Sequence, residues 1–529
     1  PATTATPYGP IVDALDELGQ TIASMRSVDR DRVLSRIERT VADLGGEIFH
    51  AARLRQVCLH DKRAAAALRV QAVRQSVRPV PVRVTVHRNL AATLVQRLCD
   101  RRADPGGSTR HQRDFPLPRY LVAGHASPAP THFSTMPRPI LPEPPDELKR
   151  LSDTLSSRIR GEIRRDGTIP FARFMERALY EPGLGYYSAG LHKLGASGDF
   201  VTAPELGGLF AACLARQVAE VADELGAFDI LEVGAGTGRL AADLLRNLAD
   251  GRLPERYLIL ETSADLRAVQ RERIAQAAPA WLDRMSWLDK PPTDGWSGIL
   301  IANEVIDALA VERFQATENA IEQLCVTHRD GRFDWASRPA PGPLEAAVRR
   351  LESELGRPFP AGYRSEIHLQ LPAWLEGVTS GLRSGLALFI DYGYPRSEYY
   401  LPERRDGTLM CHYRHLGHDD VFFWPGLQDI TAWVDYTALA EAADACGLEV
   451  AGYSSQAMFL LGCGLDEALA ERGAGQGDAA LALHAEARQL TLPGMMGERF
   501  QVMGLGRNLG GMMERPPRGF SLQDLRYRL

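Results

Sequence analysis

Residues 228–238 read FDILEVGAGTG, a short apolar run that breaks into three alternate glycines just behind an acid, Glu232. The run Phe228 to Leu231 has the composition of a buried parallel strand, and Arg239 to Leu248 carries the apolar period of the helix that follows it. Gly234, Gly236 and Gly238, with Ala235 among them, therefore occupy the turn between strand and helix. Glycine there allows left-handed backbone and leaves no Cβ between the main chain and a ligand.

Such a turn suits a nucleotide, and the residues around it narrow the class. The dinucleotide fingerprint is G-x-G-x-x-G, whereas this turn is spaced G-x-G-x-G. A pyrophosphate gains nothing from a carboxylate such as Glu232 beside its cradle, but a ligand carrying an ammonium and a sulfonium does. A second acid, Glu261, closes the apolar run Tyr257 to Leu260. It follows the turn by roughly twenty residues, where an acid can accept both ribose hydroxyls. Together these features point to S-adenosylmethionine, with Glu232, Gly234, Ala235, Gly236 and Gly238 at its cradle and Glu261 on its ribose. The competing reading is structural: a plain strand-helix turn, and a strand-end acid facing water.

At 529 residues, with 45% hydrophobic and 24% charged side chains, the chain has ample length for a large core. It contains no apolar stretch of membrane-spanning length and no basic-apolar-small order at its start, so the expected location is cytoplasmic. Seven scattered cysteines without a CxxC pair read as reduced thiols. Cys411, His412, His415 and His418 crowd together, but the glycine and prolines around them favour a polar loop over the active site, and no metal is expected. The net charge of −6 hides an asymmetry: residues 51–135 hold fourteen Arg and one Lys against four Asp and no Glu, which leaves −17 for the rest. An acidic body argues against nucleic acid as a partner and fits a basic protein or peptide.

Residues 11–50 have helical periodicity, and the arginine-rich stretch up to 135 has none. A disordered tail, a targeting segment or a start placed too far upstream would each explain it. The composition becomes ordinary from Met136, which is the expected start. From there the reading is an N-terminal helical and cofactor-lid region over 136–226, a cofactor-binding half over 227–314, an insertion over 315–380 and the rest of the core with a substrate loop over 381–510. A tail follows over 511–529. Strands at Leu231, Tyr257 and Gly298–Ala302 alternate with helices, which predicts a parallel sheet covered on both faces. The insertion should hold a hairpin turning at Asp330-Gly331 and a helix from Leu344. GLALFIDYGY then restores a core strand ending at Asp391, a loop runs from Pro395 to Gly426, and MGERFQVMGLGR has the alternation of a closing strand.

A series of segments resembles the MidA-like methyltransferases, whose mitochondrial member is a complex I assembly factor that methylates arginine. In order they are GYYSAG, GDFVTAPELG, ILEVGAGTGRLAADLL, YLILETSADLRAVQRERI, ANEVIDALAVERF, LFIDYGY, PGLQDITAWVDY and MGERFQVM, spanning about Ile140 to Gly506. The resemblance implies an α/β, Rossmann-like, seven-stranded core that transfers methyl from S-adenosylmethionine, with a protein arginine as acceptor and respiratory-complex-like subunits as the substrate class. It also implies that Asp199, Thr202, Pro204 and Glu205 approach the methionine end of the cofactor. Homodimerisation is compatible with the sequence.

Methyl transfer needs donor and acceptor in line and water kept out, so residues at the carboxyl ends of the strands matter most. After the fourth strand these are Asn303, Glu304 and Asp307. If that segment turns helical, Glu304 and Asp307 share one face and can hold the planar donor fork of a guanidinium. Helix capping by Asn303, with acids in the first turn, is the structural alternative. Asp391, Asp429 and Asp435 close strands or loops nearby and are candidate substrate contacts, while Tyr186 and Tyr187 read as an aromatic wall or as core. The position after the fourth strand reads NEVIDAL rather than the Asn/Asp-Pro-Pro-aromatic loop of amide and adenine methylases, which lowers a nucleic-acid acceptor. A small-molecule acceptor and a non-catalytic assembly factor that binds the cofactor stay open.

Overall fold

The strands that decide the architecture are those that follow and flank the glycine turn. A computed structural model of the chain describes residues 141–189, 202–248, 252–472, 478–511 and 515–529. The helices expected over 11–50, the arginine-rich stretch, the start at Met136 and Asp199 lie outside the described residues.

The central sheet contains β1 (Asp229–Val233), β2 (Tyr257–Leu260), β3 (Met285–Leu288), β4 (Trp296–Asn303), β5 (Leu382–Tyr394), β6 (Glu449–Ser455) and β7 (Phe500–Arg507). Their spatial order is β6-β7-β5-β4-β1-β2-β3. Every neighbouring pair from β5 to β3 is parallel, and β7 runs antiparallel between β5 and β6. The order reverses beside β1, which opens a crevice at the carboxyl ends of β1 and β4. The short pair Val434–Asp435 extends that edge alongside Gly393 and Tyr394 of β5.

The apolar runs seen in the sequence are continuous because both faces of the sheet are covered. Along β5, Leu386, Leu388 and Ile390 join one core with Phe210, Leu214 and Leu240, while Ala387 and Phe389 join the opposite core with Leu375, Tyr436 and Leu439. Burial of each large side chain contributes about 1.5–3 kcal/mol. Removing Leu388, which is fully buried, would leave a cavity costing about 2–5 kcal/mol. On the first face lie α1 (Leu209–Leu225), which feeds the chain into β1, and α2 (Arg239–Asn247), which leaves the glycine turn. Helix α3 (Ala264–Ala277) follows β2, and α4 (Tyr436–Ala445) packs on the second face. The final residues also join the core, with Phe520 buried against Phe459 and the Leu525 amide bonded to the Tyr453 carbonyl at 2.6 Å.

A second sheet stands apart from the central one. Strands Glu312–Ala316, Ile321–Arg329, Arg332–Pro339 and Arg364–Ile367 are antiparallel, and Ile169–Pro170 from the N-terminal lead joins Ile321–Arg329. The hairpin turns at Asp330 and Gly331, both with positive φ, and a helix covers Gly342–Glu354. Helices Asp146–Asp166 and Phe171–Tyr180 bury Leu155, Ile159, Phe171 and Phe174 against this sheet and against Cys411 and Ile430. The lead and the insertion therefore share one core. The region from Pro395 to Gly426, expected as a loop, contains a helical turn at Arg396–Tyr399 and a hairpin, Met410–Tyr413 with Leu416–His418, which pairs with Asp429–Thr431. Among the described residues no helix is long and apolar enough to cross a membrane.

Candidate functional site

The glycine turn leaves β1 with φ of +67° at Gly234, +52° at Gly236 and +77° at Gly238. A Cβ on Gly234 would stand 3.2 Å from Val305 Cγ2, and one on Gly238 would stand 3.1 Å from Gln270 Cα. Both close approach and left-handed backbone thus call for glycine. The Gly234 amide donates to the Leu260 carbonyl (3.1 Å) and the Gly238 amide to the carbonyl of buried Ala235 (2.7 Å), which fixes the turn against β2.

Two carboxylates border this turn. Glu232 lies inside the sheet, 3% exposed, and accepts the Tyr257 hydroxyl at 2.6 Å. Burial pushes its carboxyl up to about 7, with the Tyr257 hydrogen bond pulling down and Glu261 pushing up. Glu261, at the end of β2, accepts the Ser263 amide (2.9 Å) and the Gln270 amide group (3.2 Å), and burial raises it as well. Gln270 also donates to the Gly236 carbonyl (2.9 Å) and accepts from Trp287 Nε1 (2.9 Å), so one side chain ties the turn, Glu261 and β3 together. The sequence reading missed Gln270. Its only signal is an uncharged polar residue one turn before buried Ile274 in a helix of mostly exposed charges.

The segment after Val201 crosses from this turn to the end of β4. Glu205 accepts the Thr237 hydroxyl and pairs with Arg273 at 3.1 Å, so its carboxylate braces the turn. Pro204 is buried, and Thr202 precedes the helical turn Ala203–Leu206 without a side-chain capping bond. The Ala203 amide faces Glu304 Oε1 at 3.4 Å. A turn that a Cβ would fill, with acids at both strand ends and the 202–206 segment spanning the gap, fits a nucleoside bearing a cationic thioether. Gly234, Gly236 and Gly238 would hold its backbone-facing edge and Glu261 its ribose.

Beyond β4 no helix forms, so the condition for a shared helical face is not met. Residues 304–309 are bends and a turn, closed by the Leu309 amide on the Ile306 carbonyl (3.1 Å), and neither the shared helical face nor the Asn303 helix cap exists. The reason is Asp391, whose Oδ2 accepts three successive amides, Val305 (3.2 Å), Ile306 (3.0 Å) and Asp307 (3.1 Å). Its Oδ1 accepts the Tyr392 amide at 2.9 Å. Asp391, expected at the substrate, is therefore buried as the anchor of the loop. Glu304, just before those amides, sits in left-handed backbone with φ +54° and donates its amide to the Ile390 carbonyl (2.8 Å). A non-glycine residue held there costs about 1–3 kcal/mol and is a mark of functional sites.

Glu304 and Asp307 nonetheless lie within electrostatic reach of each other. Burial pushes Glu304 up to about 8, helped by Asp307 and Asp429 and opposed by the Asn303 side chain and the Ala203 amide. Asn303 Nδ2 donates to Glu304 Oε1 at 3.1 Å. Burial raises Asp307 to about 6 against the Tyr392 hydroxyl and backbone amides. Asp429, 1% exposed, accepts the Tyr187 hydroxyl at 3.0 Å. Asp435 has a different job: it caps α4 through the Thr437 (3.0 Å) and Ala438 (3.2 Å) amides and pairs with Arg396 (3.2 Å). The structure thus gathers Asn303, Glu304, Asp307 and Asp429 into one acidic floor, with Asp391 beneath it and Asp435 engaged elsewhere. Tyr186 is buried, and the aromatic wall is instead Tyr187 with Tyr180. Cys411 and His418 face each other across the 410–418 hairpin, and burial lowers His412 to about 4.

Comparison with known proteins places this geometry. Residues 213–454 match the family model described as "Putative S-adenosyl-L-methionine-dependent methyltransferase". The crystal structure of a superfamily member from Burkholderia thailandensis bound to S-adenosyl-homocysteine is 40% identical, has a TM-score of 0.68, and covers 74% of this chain and 100% of its own. Among curated proteins, "Protein arginine methyltransferase NDUFAF7, mitochondrial" of Danio rerio is 28% identical over 66% of this chain and 86% of its own length. Its Homo sapiens counterpart is 27% identical over 58% and 72%. These relatives are named as mitochondrial, which overturns the cytoplasmic expectation. The cofactor is S-adenosylmethionine, and the chain belongs to the MidA-like family of S-adenosylmethionine-dependent methyltransferases.

Proposed function

We propose that the chain transfers methyl to a guanidinium nitrogen of a protein arginine. The observation that carries this reading is Glu304: a half-buried carboxylate in left-handed backbone, with Asp307 and Asp429 in electrostatic reach, beside the glycine turn. Three acids crowded together are mutually unfavourable until a cation enters. A guanidinium brings the charge, and its planar N–H fork suits bidentate carboxylates. The arginine-methyltransferase names of the relatives support the same acceptor.

When bound, the cofactor would supply a methyl on sulfonium, its S–C bond breaking as the acceptor N–C bond forms and a neutral thioether leaving. Glu304 holds two guanidinium N–H groups and orients the reacting nitrogen, and Asp307 accepts the proton that this nitrogen releases as the N–C bond forms. Asp391 keeps both in place through the three amides, and the 202–206 segment excludes water above Glu304.

The test uses labelled cofactor and cell extract. Label in methylarginine of a polypeptide is the expected result. Label in a metabolite would replace the acceptor with a small molecule, and no label would leave a binding protein. Glu304→Gln should lower transfer by roughly 10²–10⁴-fold with near-normal S-adenosylhomocysteine affinity. Unchanged methylation in that variant would remove Glu304 from the reaction.

A further inference from the structure

The acidic floor is roofed on one side by two parallel tyrosines. Tyr180, the last residue of helix Phe171–Tyr180, stacks on Tyr187 with ring centroids 5.6 Å apart and planes at 21°. Each ring is fixed at its hydroxyl. Tyr180 donates to the Ala308 carbonyl at 2.9 Å, immediately after Asp307, and Tyr187 donates to Asp429 at 3.0 Å. Tyr186 packs edge-on against Tyr187 from behind, with centroids 5.0 Å apart and planes at 83°. One face of Tyr180 is therefore covered by Tyr187. The residue is still 40% exposed although its hydroxyl end is buried, and there burial, followed by Asp429, Asp307 and Glu261, raises the phenol.

The exposed part of Tyr180 leaves aromatic surface available to a ligand. An aromatic face beside carboxylates attracts a cation through the ring quadrupole, and a planar guanidinium stacks on it where an ammonium cannot. We infer that Tyr180, backed by Tyr187, is the specificity-determining platform for the acceptor, on which a planar cation lies while Glu304 and Asp307 hold its N–H groups. Selection of arginine over lysine then comes from the ring, and reactivity from the acids. This inference rests on the arginine reading above.

Binding is measured on the full chain saturated with S-adenosylhomocysteine, by NMR titration with Nα-acetyl-arginine methylamide and with the matching lysine compound. The wild type should prefer the arginine compound. Tyr180→Leu should bind it about three- to fivefold more weakly and lose the preference. Tyr180→Phe, which keeps the ring and loses only the Ala308 bond, should stay within about twofold of wild type. S-adenosylhomocysteine affinity should be equal in all three proteins, which separates loss of the platform from loss of the fold. An intact preference in Tyr180→Leu, or none in the wild type, overturns the inference. Methylarginine formed in extract by Tyr180→Leu at wild-type KM sinks the platform and leaves the proposed reaction standing. Absence of methylarginine with the wild type sinks the reaction itself.

Discussion

The cofactor cleft and the acidic floor lie side by side at the carboxyl edge of one sheet, yet they are built in opposite ways. The cleft comes almost whole from one β-α-β stretch: the turn after β1, Glu261 at the end of β2 and Gln270 on the next helix, each polar group meeting a partner close in sequence. The floor draws on four distant segments, around Tyr187, Glu304–Asp307, Asp391–Tyr392 and Asp429. Its acids face one another, and two of them hold protons near neutrality. A local site binds by shape. A site made from remote segments stores unfavourable charge that the proposed cationic acceptor would relieve.

The sharpest way to break this contrast is Asp391→Ala. Three loop amides lose their shared acceptor inside the protein, at about 1–3 kcal/mol for each group left without a partner. The expected outcome is a clear drop in melting temperature, with methyl transfer falling by roughly a hundredfold or more as Glu304 leaves its left-handed position. S-adenosylhomocysteine affinity, measured by calorimetry on the folded fraction, should change far less, because none of those three amides belongs to the glycine turn. Equal losses of transfer and of cofactor binding would show that floor and cleft are one unit.

Protonation gives a milder separation. Glu304 and Asp307 have folded values raised to about 8 and about 6, so the folded state holds protons that the unfolded chain has released. By linkage the stability of the ligand-free protein should fall as pH rises through that window, from above the ordinary carboxylate range to about 8. Transfer should move the other way, rising up to about tenfold per pH unit below 8 as Glu304 becomes the charged form that grips a guanidinium. Glu304→Gln should flatten the upper part of the stability decline. A melting temperature that rises with pH over this range would contradict the crowding of acids.

The same contrast explains what could be read from the chain. The turn at 234–238, Glu261, α2 at Arg239–Asn247 and the strand ending near Asp391 were legible because period and glycine spacing are local signals. Strand β3 was not, since MSWL is short, lies at the sheet edge and is only half-buried. Nor was β6, where EVAGYSS has no apolar run and its burial comes from partners far along the chain. For the loop after β4, the acids three apart in NEVIDAL could share a face only if the segment turned helical. Its true shape depends on a carboxylate 84 residues from Asp307, which no spacing rule reports. Asp435 reads like Asp391 in sequence, as an acid closing a strand, yet one caps a helix and the other anchors the loop after β4.

The smallest expected effect tests the cleft by itself. Glu232 is buried beside Tyr257 and pushed to about 7, so at pH 6 it is mostly neutral in the ligand-free protein. A sulfonium brought near it favours the carboxylate, and binding must then expel the proton, which costs affinity at low pH and nothing once Glu232 is already charged. S-adenosylmethionine should accordingly bind about three- to tenfold more tightly at pH 8 than at pH 6, with less change for S-adenosylhomocysteine, which lacks the sulfonium charge. Glu232→Gln should abolish that difference between the two ligands, whereas Glu304→Gln, which alters only the floor, should leave it in place. Calorimetry at the two pH values with both ligands reads this directly, and a pH dependence that disappears in Glu304→Gln but survives in Glu232→Gln would mean that the floor, and not the cleft, senses the charge of the cofactor.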